Sequence, residues 1–229
     1  MRLFRSRAFS AGNAVIFFLN AALTGAVFFM AQFQQTTLGQ GPLDAGLRLL
    51  PWGITPFLIA PRAGALADRI GERPLIVAGL LLETAGMAWL AAISGPGVAY
   101  SAMIAPMVVS GCGFAIAIPA VTKSVVSSVA PRDIGKASGT FSTMRQLGGA
   151  FGLAIGVAVF AAAGSYASPR AFSDGFVPAM WVAAGLALAG FVAALVLPRQ
   201  RRTADSPAVG SPVGTSAAAD GAPARAVHS

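Results

Sequence analysis

The chain has 229 residues, of which 55% are hydrophobic and only 10% are charged. A soluble domain carries roughly 25% charged residues, so this composition provides too little polar surface for a water-soluble fold. The net charge of +8 would suit nucleic acid, but the basic residues stand singly or in small groups, which excludes a recognition stripe. A single cysteine, Cys112, and a single histidine, His228, exclude a disulfide framework and most imidazole-based catalysis. We therefore expect no enzyme activity, no metal site and no cofactor.

Six apolar runs follow one another, each close to the ~20 residues that a helix needs to cross a bilayer. They predict an all-α membrane protein with one six-helix bundle over residues 1–198, whose first helix is an uncleaved span. Residues 199–229 are rich in Ala, Gly, Pro and Ser, which predicts a disordered cytoplasmic tail. The predicted spans are 12–34, 46–67, 74–94, 99–122, 138–164 and 175–197.

The Lys and Arg residues lie mainly in alternate connections, and short connections with this bias remain in the cytoplasm. Basic residues precede the first span, follow the sixth, and occupy the connections after the second and fourth spans. The other connections hold only Arg48 and Arg170. The sequence therefore predicts a multi-pass protein of the cell membrane with both termini in the cytoplasm.

The first span has a face that mixes amide, hydroxyl and aromatic groups. Asn13, Asn20, Thr24 and Gln35 fall within about 60° of one another on a helix of 3.6 residues per turn, with Phe17 beside them. Such a face suits a cavity for an amphipathic substrate. The alternative is hydrogen bonding between helices within the bundle, and the sequence leaves both interpretations open.

The second span contains Pro51, Pro56 and Pro61, each of which removes a backbone hydrogen bond and tends to bend a helix. Proline is also common in transmembrane helices generally. Three prolines in one span favour a helix that bends during function.

The connection after the second span reads Gly64-Ala-Leu-Ala-Asp68-Arg69-Ile-Gly71-Glu-Arg73-Pro74. This segment resembles the Gly-x-Leu-Ala-Asp-Arg-x-Gly-Arg-Lys loop signature of the major facilitator superfamily, with Glu72 in place of a basic residue. A glycine at position 71 permits a backbone reversal, and proline suits the first turn of the next helix. The resemblance implies a conformational-switch loop that comprises Gly64, Asp68, Arg69, Gly71 and Arg73.

Two further stretches narrow the resemblance. Residues 38–51 and 138–152 resemble the second and fifth helices in the C-terminal half of drug:proton antiporters with fourteen helices. In that fold, helices one and four of each bundle line the substrate path, two and five face the other bundle, and three and six are peripheral. The resemblance implies that Met107 and Ser110 on the fourth helix are further cavity candidates. Methionine adapts to varied apolar shapes, but it is also a common filler in membrane helices, and the sequence favours that alternative for Met107.

Glu83 lies in the middle of the third span among apolar neighbours. An ionised carboxylate there costs on the order of 3 kcal/mol, so such a group is a functional candidate by default. We consider Glu83 a candidate for proton coupling. The alternative is a neutral, hydrogen-bonded structural residue, because the third helix is peripheral in the fold that the sequence resembles.

The fifth span carries Arg145 and three glycines, Gly148, Gly152 and Gly156, that share one face. Small residues on one face let another helix approach closely, which favours packing. Because the fifth helix faces the second bundle in the resembled fold, these four residues are also candidates for the interface between bundles. Arg145 alternatively extends its side chain to the cytoplasmic surface.

The resemblance implies transport of small molecules, drug or metabolite export coupled to protons, by the C-terminal half of such a transporter. The expected partners are the lipid bilayer, a small-molecule substrate and a second six-helix bundle, either an N-terminal half or another copy. Nucleic acid is not an expected partner. The alternative is a truncated product or accessory membrane subunit that does not transport.

The topology can be tested with reporter fusions. With six spans and both termini in the cytoplasm, successive fusions should alternate between periplasmic-type and cytoplasmic-type signals, beginning with a periplasmic-type signal. A cytoplasmic-type signal at the first position would contradict the topology. The fusion points are Gly41, Gly71, Pro96, Asp133, Ser168 and Arg202.

Overall fold

The computed structural model describes residues 6–197, apart from the side chain of Asp68. The predicted tail over 199–229, and His228 within it, lie outside the described residues. Within the described range every regular element is helical. The elements are α1 (Arg7–Thr36), α2 (Pro42–Arg48), α3 (Leu50–Ile70), α4 (Glu72–Ile93), α5 (Tyr100–Ser127), a short 3₁₀ turn (Pro131–Asp133), α6 (Ile134–Ala163) and α7 (Pro169–Leu195).

The six long helices confirm the predicted six-helix membrane bundle. Five of them, all except α3, are long and apolar enough to cross a membrane. Helix α3 has 21 residues but a lower mean hydropathy, because Arg62 and three prolines interrupt its apolar run. The bundle is thus an all-α, multi-pass membrane fold in which α3 is the most polar of the long helices.

Local capping explains why two helices begin earlier than the apolar runs suggest. The side-chain oxygen of Ser6 accepts a hydrogen bond from the amide of Phe9, and α1 starts at Arg7. Ser168 accepts one from the amide of Ala171, and Pro169 occupies the first turn of α7. Serine caps and first-turn prolines stabilise helix starts regardless of hydropathy, so α7 begins six residues before the predicted 175.

Four helices form a ring in which α1 contacts α5 and α7, and α4 contacts the same two helices from the other side. Helix α3 packs mainly on α5, and α6 packs on α1 and α7. The two outer helices α3 and α6 therefore flank the α1–α5 edge of the ring.

The α1–α6 seam is formed by backbone packing at glycine. A Cβ atom at Gly148 would collide with the carbonyl oxygen of Phe17, and one at Gly152 would collide with that of Ala21. The third glycine, Gly156, lies against the ring of Phe29, with 2.8 Å between a Cβ built there and Cε2. The glycine face therefore serves packing within the bundle, and these residues are not on the exposed face of α6.

A second glycine seam joins α4 to α5. A Cβ at Gly113 would collide with the carbonyl oxygen of Gly79 and the amide of Glu83. One turn away, a Cβ at Gly86 would lie 2.8 Å from the Cα of Ser110. The two helices approach within backbone contact, as small residues permit in a membrane bundle.

Aromatic rings fill the bundle where α1 ends and α7 begins. The rings of Phe33 and Phe176 stack with centroids 4.5 Å apart. Those of Phe160 and Phe172 lie 4.9 Å apart. All four side chains are at most 4% exposed, so this cluster joins α1, α6 and α7.

The glycine seam makes a prediction about stability. Gly152→Ala should destabilise the bundle by about 1–3 kcal/mol, because the added methyl group forces α1 away from α6. Gly139→Ala is the matched control on the same helix, since no atom lies within 4 Å of a Cβ there. The measurement is unfolding in mixed SDS and dodecylmaltoside micelles, followed by circular dichroism. Equal unfolding midpoints for the two variants would contradict the conclusion that close packing at Gly152 stabilises the α1–α6 contact.

Candidate functional site

A cavity of about 170 Å³ lies between α1, α3 and α5. Residues one turn apart supply its walls: Leu23 and Val27 on α1, and Gly111 and Phe114 on α5. The first turns of α3 and the residue before it complete the lining with Leu49, Trp52, Gly53 and Pro56. The site is therefore apolar and is formed by the two predicted path helices together with one flanking helix.

Trp52 is the largest side chain in this cavity and is only 4% exposed. A Cβ at Gly111 would lie 3.1 Å from the Cδ1 of Trp52, so the absence of a side chain on α5 makes room for the indole. The indole Nε1 is buried and has no hydrogen-bond partner among the described residues. The indole nitrogen is thus enclosed by the bundle, and the accessible surface of the cavity is almost entirely apolar.

Sequence reasoning missed the residues of this cavity. Their apolar side chains at helical spacing are indistinguishable in sequence from those that face lipid. Trp52 offered the only chemical signal, an N–H group beside the prolines of α3.

The residues predicted to form one polar face of α1 have different neighbours in the structure. Asn20 donates from Nδ2 to the carbonyl oxygen of Arg145 on α6 at 2.8 Å. The same nitrogen lies 3.4 Å from the Oγ1 of Thr24. A Cβ built on Gly149 of α6 would lie 2.9 Å from Asn20 Nδ2 and 3.0 Å from Thr24 Oγ1. These two polar residues therefore participate in the α1–α6 seam, as the packing alternative predicts.

The other members of that face have separate surroundings. Asn13 is 2% exposed and donates to the carbonyl oxygen of Phe9 on its own helix. Gln35 is exposed and donates to the carbonyl oxygen of Ala31 at 3.3 Å. Phe17 is half-buried, with its ring 5.7 Å from that of Phe151 on α6. The structure does not gather these side chains into one pocket.

The two candidates on α5 are not among the residues that line the cavity. Met107 and Ser110 are both fully buried. Ser110 packs against Gly86 of α4, whereas the neighbouring Gly111 faces Trp52 on α3. Their side chains are part of the bundle interior.

Glu83 is also fully buried, in the α4–α5 seam. Its backbone lies against Gly113, one turn from the contact between Gly86 and Ser110. Neither carboxyl oxygen of Glu83 nor the Oγ of Ser110 has a hydrogen-bond partner among the described residues. The seam therefore contains an acidic group and a hydroxyl without assigned partners.

The signature loop is a tight reversal between α3 and α4. Gly71 has a φ of +91°, a value that favours glycine, and its amide donates to the carbonyl oxygen of Ala67. Gly64 has no atom within 4 Å of a Cβ built on it, so it makes no close helix contact among the described residues. Asp68 lies in the last turn of α3, and Arg69 beside it is exposed.

The residues after the turn connect α4 to its neighbours. Arg73 donates from a guanidinium nitrogen to the carbonyl oxygen of Leu195, at the end of α7, at 2.7 Å. Glu72 lies 3.9 Å from the ammonium group of Lys123, at the end of α5. The acidic residue that departs from the signature thus forms an ion pair with a neighbouring helix.

Arg62 and Arg145 are exposed in the middle turns of the two flanking helices. Arg145 lies on α6, and its backbone carbonyl accepts the bond from Asn20. Arg62 lies on α3 and donates to the carbonyl oxygen of Leu58 at 2.9 Å. Sequence reasoning missed Arg62, although a charge inside a predicted span is itself a signal.

Comparison with known proteins gives consistent matches. The profile of the Major Facilitator Superfamily matches residues 13–225. The chain is 30% identical over 160 residues to the multidrug resistance protein B homolog of Mycobacterium tuberculosis, covering 68% of this chain and 29% of the relative. It is 29% identical over 203 residues to the cephamycin export protein CmcT of Amycolatopsis lactamdurans, covering 88% and 42%.

A third relative is the tetracenomycin C resistance and export protein of Streptomyces glaucescens, 30% identical over 158 residues, covering 68% of this chain and 29% of that protein. The matches to these three relatives thus cover between 29% and 42% of their own length.

The bond between α1 and α6 generates a second stability prediction. Asn20→Ala should cost about 0.6 kcal/mol, and at most about 1.7 kcal/mol, the range for side-chain hydrogen bonds between membrane helices. Gln35→Ala is the matched control, since this amide on the same helix bonds only within its own helix. Steric trapping or SDS unfolding measures both. An equal loss of unfolding free energy in Gln35→Ala would show that the Asn20 side chain adds no stability between α1 and α6.

Proposed function

The chain belongs to the Major Facilitator Superfamily, and we propose that it is one six-helix bundle of a small-molecule exporter that works with a second bundle. The substrate path lies along the α1–α5 edge, and α3 and α6 meet the second bundle. In this family of folds, transport proceeds as one bundle rocks against the other around a site near the midplane of the membrane.

The exposed faces of the two flanking helices are the observation that carries this proposal. On α3, Phe57 is 82% exposed and Leu58 is 60% exposed. On α6, Phe151 is 54% exposed and Leu147 is 50% exposed. These apolar faces border the helices that line the cavity, which is where a second bundle would enclose a substrate path.

The exposed arginines support the same partner. A guanidinium group in contact with hydrocarbon is costly, so charges within membrane spans usually have a polar partner or reach water. Arg62 and Arg145 lie on α3 and α6 respectively and are both exposed. In the proposed assembly, acidic or polar groups of the second bundle lie opposite them.

The proposed orientation places the basic end of the bundle in the cytoplasm. This end comprises the start of α1, the α3–α4 and α5–α6 connections and the end of α7. Arg69, Arg73, Arg132 and Lys136 lie there. The positive-inside bias of short connections supports this orientation and a cytoplasmic position for both termini.

Proton coupling is assigned to Glu83 in this proposal. A carboxyl group buried between α4 and α5 is stable mainly in its neutral form, so ionisation requires access to water. Movement between α4 and α5 would provide that access and connect proton release to a change in conformation. The α4–α5 seam, rather than the substrate cavity, would then contain the coupling group.

The proposed substrates are uncharged or lipophilic small molecules. The named functions of three relatives, multidrug resistance, cephamycin export and tetracenomycin C export, support export as the direction of transport. The lining of the α1–α3–α5 cavity has no charged side chain, which supports a lipophilic substrate. The protein would be a carrier that moves its substrate without chemical change.

Liposome transport tests the requirement for two bundles. In a Cys112→Ala background, Phe57→Cys and Phe151→Cys variants are mixed and oxidised to link α3 of one copy to α6 of another. Efflux of Nile red, an uncharged lipophilic dye, under an imposed proton gradient should be near background in verified monomers and should increase with the linked fraction. Leu188→Cys, on an exposed face of α7, is the control for random linkage.

Flux from a verified monomer would contradict the two-bundle proposal. If linked pairs transport, Glu83→Gln should abolish their dependence on the proton gradient while leaving binding of Nile red intact, because the amide does not ionise. A linked pair that retains proton-dependent flux with Gln at position 83 would exclude Glu83 as the coupling group.

A further inference from the structure

We propose that the α1–α3–α5 cavity is a subsite for one uncharged hydrocarbon ring, which it holds by shape and by contact with aromatic side chains. The ring is either a small molecule by itself or one ring of a larger substrate. The role of the subsite in export rests on the proposed function, but binding of a ring to this chain does not. The subsite selects rings that carry no polar substituent.

The size of the cavity limits what can occupy it. Its volume is about 170 Å³, and an apolar cavity of about 150 Å³ in a protein interior accommodates one benzene molecule. The space therefore fits one ring with a small alkyl group. A flexible lipid acyl chain can also fill such a volume, so the chemistry of the walls decides between the two occupants.

Cyclic side chains form much of the wall. Trp52 and Pro56 lie on α3, and Phe114 lies on α5. The indole of Trp52 packs against α5, because a Cβ built on Gly111 would lie 3.1 Å from its Cδ1. Aromatic rings attract one another beyond the gain from buried area, in stacked or edge-to-face arrangements. A planar ring is therefore preferred over an acyl chain, which cannot form these contacts.

The cavity offers its occupant no hydrogen-bond partner. Its accessible surface is almost entirely apolar, and the indole nitrogen of Trp52 is enclosed by the bundle. Pro56 has no amide to bond to the carbonyl oxygen of Trp52, but Gly111 covers this oxygen, since a Cβ built there would lie 3.1 Å from it. A buried hydroxyl group or charge without a partner is unfavourable, so a polar substituent weakens the binding of a ring.

Gly53 of α3 and Val27 of α1 lie where the cavity reaches the surface. Val27 is 37% exposed, and Gly53 is exposed as well. No atom lies within 4 Å of a Cβ built on Gly53, so a side chain can be added there without a clash. The missing side chain at position 53 therefore keeps the entrance wide, and the rest of a larger molecule can extend outward through it.

Heavy-atom quenching of tryptophan fluorescence detects a ring beside Trp52. The full chain with Trp89→Phe and Trp181→Phe retains Trp52 as its only tryptophan and is placed in lipid nanodiscs. The probe is bromobenzene, whose concentration in the lipid is measured by partitioning. Quenching of Trp52 should saturate. In a second variant Trp181, which is 50% exposed, is the only tryptophan, and its quenching should rise in proportion to the bromobenzene dissolved in the lipid.

Two results would overturn the subsite. Quenching of Trp52 that only follows the bromobenzene dissolved in the lipid would show that no site of limited capacity exists beside this residue. An absence of quenching at Trp52 would also overturn it, and is the result expected if acyl chains fill the cavity and are not displaced.

A substitution at the entrance tests the location. Gly53→Leu should weaken bromobenzene binding at least about tenfold, because the added side chain occupies the opening. Gly46→Leu is the matched control on α2, since Gly46 is also exposed and also has no atom within 4 Å of a Cβ built on it. An equal loss of affinity in both variants, or none in Gly53→Leu, would contradict the assigned entrance. If Gly53→Leu does not fold, saturation at Trp52 in the chain with Gly53 still decides whether the subsite exists.

Competition between p-xylene and hydroquinone tests the preference for apolar rings. The two molecules have nearly the same shape, and hydroquinone carries a hydroxyl group at each end, so one hydroxyl enters the cavity whichever way the ring is turned. At equal concentration in the lipid, hydroquinone should displace bromobenzene at least about fivefold more weakly than p-xylene. Equal displacement would overturn the selection against polar substituents. Because none of these measurements requires transport, a failure of Nile red efflux leaves their outcome unchanged.

Discussion

Backbone contact at glycine is the interaction on which the rest of this bundle depends. In a bilayer, lipid is as apolar as leucine, so helices associate through close packing rather than through hydrophobic burial. Gly148 and Gly152 bring α6 against the carbonyl groups of α1, and Gly113 brings α5 against α4. Two pairs of helices are thereby fixed, and the positions of the remaining groups follow from them.

The polar groups at the two seams differ in their hydrogen bonding. At the α1–α6 seam, Asn20 uses its amide to join the helices, bonding to the carbonyl oxygen of Arg145. At the α4–α5 seam, Glu83 is buried without an assigned partner. The difference has a functional consequence: a bonded amide stabilises one arrangement, whereas an acidic group without a partner makes the energy of its seam depend on access to water.

The cavity arises where glycine lies beside a large ring instead of beside another backbone. Gly111 faces Trp52, and Pro56 removes one amide from α3 nearby. The result is an apolar cavity between α1, α3 and α5. A cavity and a packing seam therefore use the same residue type on α5, because Gly111 and Gly113 face different neighbours.

Hydropathy and loop charge in the sequence determined the membrane class and the six-helix bundle, and the signature around Gly71 and Arg73 indicated the family. These signals are local: each depends on the composition of one segment or on the conformation of one turn. The sequence also placed Asn20, Thr24 and Glu83 on helix faces, because a helix has a fixed period. Only the tertiary structure decided which neighbour each face meets. It placed the three glycines of α6 against α1, turned Ser110 toward α4, and grouped Trp52 with Leu23 and Phe114 in the cavity. The physical reason is that apolar side chains facing lipid, a neighbouring helix or a cavity have the same periodicity, and only the packing of separate segments distinguishes them.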